Sequence, residues 1–261
     1  MAQKSSPSTS LRSVVAVEMQ SGRKALLLFF CLIATLLAFY FFGRTIWFPK
    51  VVRVSGMRTV ADIIDLYGAP ADADLQPKFA AAGAAYPPAS LTFIVLKQER
   101  ALEVWAPGGN ASVLVATYPI LAASGRPGPK LREGDRQVTE GLYRLAGLNP
   151  NSSFHLSMKI NYPNEFDLRH AAAEGRTSPG SDIFIHGREA SIGCLAMGDP
   201  AIEKLFVLVA RTGFENVEVI MAPYDFRTTQ PQSAGDPVWL PELYIVVAER
   251  MKNFNSRSTG E

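Results

Sequence analysis

The chain has 261 residues, of which 48% are hydrophobic and 19% charged, so it is too apolar for disorder and long enough for one globular domain with attached segments. Its 20 glycines and 18 prolines predict many turns and favour an α+β or mostly β fold over a fibrous or low-complexity one. The first 24 residues carry four basic side chains and one acidic side chain, and the other 237 residues carry 22 basic and 23 acidic side chains. Because these 237 residues are nearly neutral, nucleic acid is not a predicted partner.

An uncharged run of 18 residues, ALLLFFCLIATLLAFYFF at 25–42, follows the basic tail. As a helix it would measure about 27 Å, close to the thickness of a bilayer core. The basic tail favours a cytoplasmic N-terminus, and no small-residue cleavage pattern follows the run. We predict a cytoplasmic tail at 1–24, an uncleaved single-pass anchor in the cytoplasmic membrane at 25–48, and the rest facing the periplasm or extracytoplasmic space. A cleaved signal peptide and a buried core helix are the alternatives.

The rest of the sequence predicts one globular domain preceded by a short helical segment. Residues 59–68 and 73–82 have the spacing of two short helices, and we interpret 49–90 as a stalk or capping segment. From residue 91 onwards short apolar runs alternate with turns, which predicts a β-meander and further strands in a mostly β α+β domain at 91–254, with a frayed end at 255–261. The predicted strands are 91–97, 101–106, 111–119, 141–146, 154–160, 182–186 and 217–222, and further helices are predicted at 199–213 and 241–253.

The segment SDIFIHGREASIGCLAMGDP at 181–200 contains a histidine at the end of a predicted strand and a cysteine in the loop that follows. His186 alternates with Ile185 and therefore points away from the apolar layer. A free thiol has a pKa of about 8.5, and a neighbouring imidazole raises its thiolate fraction. The backbone N–H groups of Gly193 and Cys194 are candidate donors to an oxyanion. These parts predict a Cys-His pair for acyl transfer.

IHG followed by SxGC resembles the signature of the YkuD-type L,D-transpeptidases, bacterial cell-wall enzymes with a cysteine nucleophile. The segments GPKLREGD, TEGLY, NPNSSFHLSMKINYPNEFD and GCLAMGDPAIEKLF, in that order, are closest to the YafK-like branch. The resemblance covers roughly 91–223 and implies the family's catalytic fold, with β-sandwich or barrel-like sheets and flanking helices. It also implies Cys194 as nucleophile, His186 as its partner and the carbonyl of Gly187 as the group that orients the imidazole.

The reaction implied by the resemblance is ping-pong acyl transfer on peptidoglycan stem peptides, through a thioester at meso-diaminopimelate and without a cofactor. An amine acceptor gives a cross-link or a protein anchor, whereas water gives hydrolysis, so a hydrolase of the same peptide or protein-to-peptidoglycan linkages is an alternative. A non-catalytic wall-binding module is another. Three histidines and two cysteines in the whole chain make a metal site unfavoured. The sequence does not indicate an oligomeric state.

Candidate substrate-binding residues flank the pair. Arginine binds carboxylates through paired hydrogen bonds, and Arg188, inside the His-to-Cys loop, is preferred, together with Ser191. Arg169 and His170, in a predicted polar loop, are further candidates, although such residues are more often ordinary surface groups. His155 is interpreted as a structural residue of a strand. The sequence departs from the common family pattern, so that roles known elsewhere do not transfer, at Ile192, Met197, Val138 and Thr139.

Overall fold

The computed structural model describes residues 8–189, 191, 193–233 and 237–255. The first seven residues of the predicted tail, the departure at Ile192 and most of the predicted frayed end lie outside the described residues. The chain forms two compact units, Met1–Gly56 and Met57–Glu261.

The first unit contains α1 (Ser8–Phe42) and α2 (Arg44–Ser55). The predicted anchor at 25–48 falls within these helices. Over the part of the chain that the structure describes, no helix combines the length and the apolar composition needed to cross a membrane. The prediction of a transmembrane helix is therefore not supported.

The second unit has the predicted α+β character, and its strands outnumber its helices within the described residues. In chain order its elements are α3 (Val60–Ala81), β1 (Leu91–Leu96), β2 (Ala101–Gly108), β3 (Ala111–Pro119), β4 (Ala122–Ala123), β5 (Gly141–Asn149), β6 (Ser157–Ile160), α4 (Glu165–Ala173), β7 (Phe184–His186), β8 (Leu195–Ala196), α5 (Asp199–Thr212), a 3₁₀ turn (Phe214–Asn216), β9 (Val217–Ala222) and α6 (Leu240–Met251).

Nine strands of the described chain form one mixed sheet in the order β3-β2-β1-β9-β5-β6-β7-β8-β4. The predicted meander is confirmed, because β1 pairs antiparallel with β2 and β2 with β3. Two neighbouring pairs are parallel, β1 with β9 and β7 with β8. The prediction of a mostly β α+β domain with flanking helices is confirmed, but the described strands form one continuous sheet and not the two packed sheets of a β-sandwich.

Helices cover both faces of this sheet. In β1, Phe93 and Val95 join the core cluster that includes α3 and α5, whereas Ile94 and Leu96 join the cluster around α6. All four side chains are at most 4% exposed. A strand buried on both faces is apolar along almost its whole length, which explains the run LTFIVL.

The two short helices predicted at 59–68 and 73–82 are one continuous helix, α3. It begins with a capping box between Thr59 and Asp62 and continues through Pro70 and Pro77. An internal proline costs a helix about 3 kcal/mol, and burial against the core offsets this cost. The segment predicted as a stalk or capping segment thus packs on the domain. Its largest buried side chains in the main core cluster are Ile63, Leu75 and Phe79.

Residues 165–173, predicted as part of a polar loop, form the helix α4. Asn164 caps it by accepting from the Asp167 N–H, and the Asp167 carboxylate accepts from the backbone N–H of Asn164. Only Asp167 and Ala171 of this helix are buried. The loop prediction was wrong because a helix with so narrow a buried side shows little apolar periodicity, although its capping pair is visible in the sequence.

Candidate active site

The candidate site lies where β7 and β8 run parallel. Ile185 is paired with Leu195, and His186 with Ala196. In a parallel pair the connecting loop must return the chain to the starting end of the first strand. Cys194, the residue before β8, is therefore brought level with Phe184 at the start of β7, two residues before His186 on the same strand. The predicted placement of Cys194 beside the His186 ring stays a prediction.

Two backbone groups at the start of β7 contact the sulfur of Cys194. Sγ lies 3.7 Å from the carbonyl oxygen of Asp182, which accepts the thiol proton. The backbone N–H of Phe184 lies near enough to lower the pKa of the thiol. These contacts hold Cys194 against the strand that carries His186. Among the described residues, no hydrogen bond joins the sulfur to the His186 ring.

The His186 side chain is 2% exposed and has a defined orientation. Nδ1 lies 2.6 Å from the carbonyl oxygen of Gly187, and the ring centroid lies 4.6 Å from that of Phe154. Because a carbonyl oxygen can only accept, Nδ1 carries the proton and Nε2 of the neutral ring is an acceptor. This is the contact that the family resemblance implies for Gly187.

Close packing requires glycine at position 187. A Cβ there would lie 2.7 Å from Oδ1 of Asp199 and 2.8 Å from the carbonyl oxygen of Phe154. No side chain larger than hydrogen fits without moving the backbone. The end of β7 therefore packs directly against the start of α5, which fixes the carbonyl that orients His186.

Burial determines the protonation of the two candidate groups. It raises the pKa of the Cys194 thiol, against the opposing effects of the Phe184 N–H and the positive charge of Lys130. It lowers the pKa of His186, against the hydrogen bond to Gly187. The resting pair at neutral pH is therefore a thiol and a neutral imidazole. The thiolate expected from the sequence is not favoured, because desolvation outweighs the neighbouring charge and hydrogen bonds.

The two N–H groups predicted as oxyanion donors already have partners. The N–H of Gly193 donates to Oγ of Ser124 at 2.6 Å, and the N–H of Cys194 donates to Oγ of Ser191 at 3.0 Å. Ser124 itself donates to the carbonyl of Arg136 at 2.7 Å. An oxyanion could use these N–H groups only after the hydroxyls move. Sequence reasoning missed Ser124 because it precedes Gly193 by 69 residues.

Comparison with known protein families identifies the domain. Residues 91–239, more than half of the chain, match the model of the YkuD family, described as the L,D-transpeptidase catalytic domain. The chain belongs to the YkuD family. The resemblance inferred from IHG and SxGC is thereby confirmed.

Three known proteins align with part of this YkuD chain. YafK of Escherichia coli (strain K12), a candidate L,D-transpeptidase, is 34% identical over 140 residues, or 52% of this chain and 54% of YafK. The chain thus spans about half the length of this curated relative. The helical cell shape determining protein Pgp2 from Campylobacter jejuni aligns with a TM-score of 0.43 and 20% identity over 52% of this chain and 48% of Pgp2. Mycobacterium tuberculosis L,D-transpeptidase 1 aligns with a TM-score of 0.30 and 12% identity. This alignment covers 51% of this chain and 62% of the transpeptidase chain.

Two of the predicted substrate-binding residues of this YkuD domain lie in the loop before Cys194. Ser191 holds the Cys194 backbone, since its Oγ also donates to the Cys194 carbonyl at 2.6 Å. Arg188 has a left-handed backbone, with φ of 62°. Its Nη1 lies 3.4 Å from Oδ2 of Asp199, so its charge is directed towards the start of α5. A substrate role for either side chain stays a prediction.

The other two predicted residues lie on α4. The guanidinium of Arg169 lies 5.5 Å from the ring centroid of Phe166. The ring of His170 stacks on Trp239 with centroids 4.7 Å apart. The helix, unlike the predicted loop, directs both side chains onto aromatic rings. Their role in substrate binding also stays a prediction.

The residues that differ from the common family pattern, where the structure describes them, are buried in the domain. Val138 and Met197 are part of the main core cluster. The hydroxyl groups of Thr139 and Tyr143 are hydrogen bonded at 2.7 Å. In the described part of the chain, no group of three or more His, Cys, Asp or Glu residues is placed to hold a metal ion.

Proposed function

We propose that this chain is a cysteine-dependent L,D-transpeptidase that acts on peptidoglycan stem peptides. One observation carries the proposal: the Cys194 sulfur lies against the strand that bears His186, whose Nδ1 is bonded to Gly187 and whose Nε2 can accept a proton. A neutral imidazole is a suitable general base for a neutral thiol. Membership of the YkuD family supports the choice of substrate class.

In the first half-reaction, Nε2 of His186 takes the thiol proton while the sulfur of Cys194 attacks the carbonyl carbon of a meso-diaminopimelate residue. A C–S bond forms and the C–N bond to the following D-amino acid breaks. The leaving amine takes the proton from the imidazolium, which leaves a thioester. The intermediate oxyanion needs donors, and the N–H groups of Gly193 and Cys194 can serve once the hydroxyls of Ser124 and Ser191 turn away.

In the second half-reaction, an amine or water attacks the thioester, the C–S bond breaks and the thiol is restored. An amine gives a cross-link or a protein anchor, and water gives a cleaved peptide. A non-catalytic wall-binding module would form no thioester.

Mass spectrometry of the protein incubated with purified stem tetrapeptides tests the proposal. We expect an acyl adduct that digestion maps to Cys194, together with release of the terminal D-amino acid. With an added D-amino acid as acceptor, an exchanged tetrapeptide identifies a transpeptidase, and a tripeptide alone identifies a hydrolase. Folded protein that gives neither adduct nor product would contradict both enzymatic readings and favour the wall-binding module.

The acid side of the pH profile tests His186 as the general base. Because burial lowers the pKa of His186, its neutral form persists below the ordinary histidine value of about 6.5. We therefore expect kcat/KM to fall only below that pH. His186→Gln should remove this acid limb and lower kcat/KM by roughly 10²- to 10⁴-fold.

His155→Gln is the matched control, because Nε2 of His155 is 2.7 Å from Oε1 of Glu203 on α5 and does not contact Cys194. This variant should keep both the acid limb and the rate. An unchanged acid limb in His186→Gln would contradict the assignment of the base.

We also infer that the catalytic domain acts outside the cytoplasm, because the stem peptides of the wall lie there. A reporter enzyme that is active only outside the cytoplasm, fused after Glu261, should be active in cells. Activity of a cytoplasm-only reporter at the same position would contradict this location.

A further inference from the structure

An ion pair that sequence reasoning missed lies beside the candidate nucleophile. Nζ of Lys159 is 2.7 Å from Oδ1 of Asp182, and the two side chains are 45% and 64% exposed. Lys159 is the register partner of Phe184, and Ser157 is the partner of His186. Residues two apart on a strand share a face, as do direct cross-strand partners. Lys159 therefore lies on the face of the sheet that carries His186.

Asp182 connects this ion pair to the sulfur. Its carbonyl oxygen is the acceptor that lies 3.7 Å from Sγ of Cys194. Its carboxylate is also near enough to contribute to the raised pKa of the Cys194 thiol. An exposed ion pair thus includes the residue whose carbonyl oxygen accepts the thiol proton.

Stability of the fold does not account for this pair. An exposed ion pair contributes little to folding. The only sequence signal is a lysine within the otherwise mostly apolar strand SMKI.

We propose that Lys159 and Asp182 form a subsite for a zwitterionic amino-acid group, the free ammonium and carboxylate at the side-chain end of meso-diaminopimelate. Asp182 accepts hydrogen bonds from the ammonium, and Lys159 donates to the carboxylate. On binding, the ion pair between Lys159 and Asp182 separates, and each side chain pairs with the group of opposite charge on the substrate. This inference rests on the proposed function, and it selects diaminopimelate over lysine, whose side chain ends in an ammonium alone.

The charge of Asp182 also acts on the nucleophile. The negative charge of Asp182 disfavours ionisation of Cys194. Removing this charge by substitution therefore makes the thiol easier to deprotonate.

Comparison of two stem tetrapeptides, with meso-diaminopimelate or with L-lysine at the third position, tests the subsite in the full chain. We expect the unaltered protein to prefer the diaminopimelate peptide, and Lys159→Met to reduce the ratio of the two kcat/KM values by roughly 10-fold, the size of one charged hydrogen bond. The matched control is Lys252→Met, which removes an exposed lysine paired with Glu249 on α6 and should leave the ratio unchanged.

A second variant separates substrate recognition from a structural role. Asp182→Asn should lower kcat/KM for the diaminopimelate peptide but increase the rate at which iodoacetamide alkylates Cys194 of the free protein at fixed pH, measured by peptide mapping. Damage to the loop would not produce these opposite changes.

The outcomes also separate this inference from the proposed function. An unchanged ratio in Lys159→Met, or alkylation of Asp182→Asn no faster than that of the unaltered protein, would overturn the subsite while leaving the transpeptidase proposal standing. Absence of turnover of either peptide by the unaltered protein would instead overturn the proposed function.

Discussion

Replacing Cys194 by serine is expected to lower kcat/KM on stem peptides by at least about 1,000-fold. The hydroxyl is nearly isosteric with the thiol, so the fold should be unaffected. Its proton is much less acidic, however, and His186, with its lowered pKa, is a weak base for removing it. Steady-state kinetics and circular dichroism measure the two effects.

Cys31→Ser is the matched control for this substitution. Cys31 is also a free cysteine, but it is exposed and lies in the separate unit Met1–Gly56. Its replacement should leave kcat/KM unchanged. Activity retained in Cys194→Ser would show that another group is the nucleophile.

The largest expected effect on stability comes from replacing Lys97 by methionine, which should lower the free energy of unfolding by about 3–5 kcal/mol. The side chains of Lys97 and Glu140 are 8% and 1% exposed, and Nζ lies 2.8 Å from Oε1. Glu140 also accepts from the Tyr244 hydroxyl at 2.7 Å and from the Gly128 N–H at 2.8 Å. Without Lys97, this carboxylate would be buried with no opposite charge.

Desolvation explains why this ion pair is sensitive to the loss of one partner. Burial lowers the pKa of Lys97 in spite of the attraction of Glu140, so the pair is costly to bury even when intact. The double variant Lys97→Met with Glu140→Gln should be more stable than Lys97→Met alone, because no charge stays buried without a partner.

Urea denaturation of the full chain measures these differences. Lys252→Met serves as the control, since it removes an ion pair whose side chains are 65% and 63% exposed, and it should change the free energy of unfolding by less than about 1 kcal/mol. An equally small effect of Lys97→Met would contradict the argument from burial.

The buried pair also supports the candidate site. Nζ of Lys97 donates to the carbonyl oxygens of Gly128 and Val138 at 3.1 and 3.0 Å. These bonds fix a segment that follows closely after Ser124, the residue that accepts the N–H of Gly193. Loss of the pair is therefore expected to disturb the Cys194 loop as well as the fold.

The candidate nucleophile and its partner could be found in the sequence because their signals are local. His186 ends a short strand, and Cys194 follows Gly193 within the same 20-residue segment. The meander and the helix that begins at Asp199 could be predicted for the same reason, since apolar periodicity and a proline in the first helical turn act over a few neighbouring positions. The continuous α3 could not, because its internal prolines argue against it and only burial in the core favours it.

The sequence by itself determined the candidate catalytic residues and most of the elements that carry them. Only the tertiary structure decided their state: a protonated thiol and a neutral imidazole, N–H groups engaged by Ser124 and Ser191, and the charges of Lys159 and Asp182 beside the sulfur. The physical reason is that burial and cross-strand register arise from contacts between distant parts of the chain. A local pattern records the chemistry of a side chain, whereas its protonation and its partners depend on what the fold packs around it.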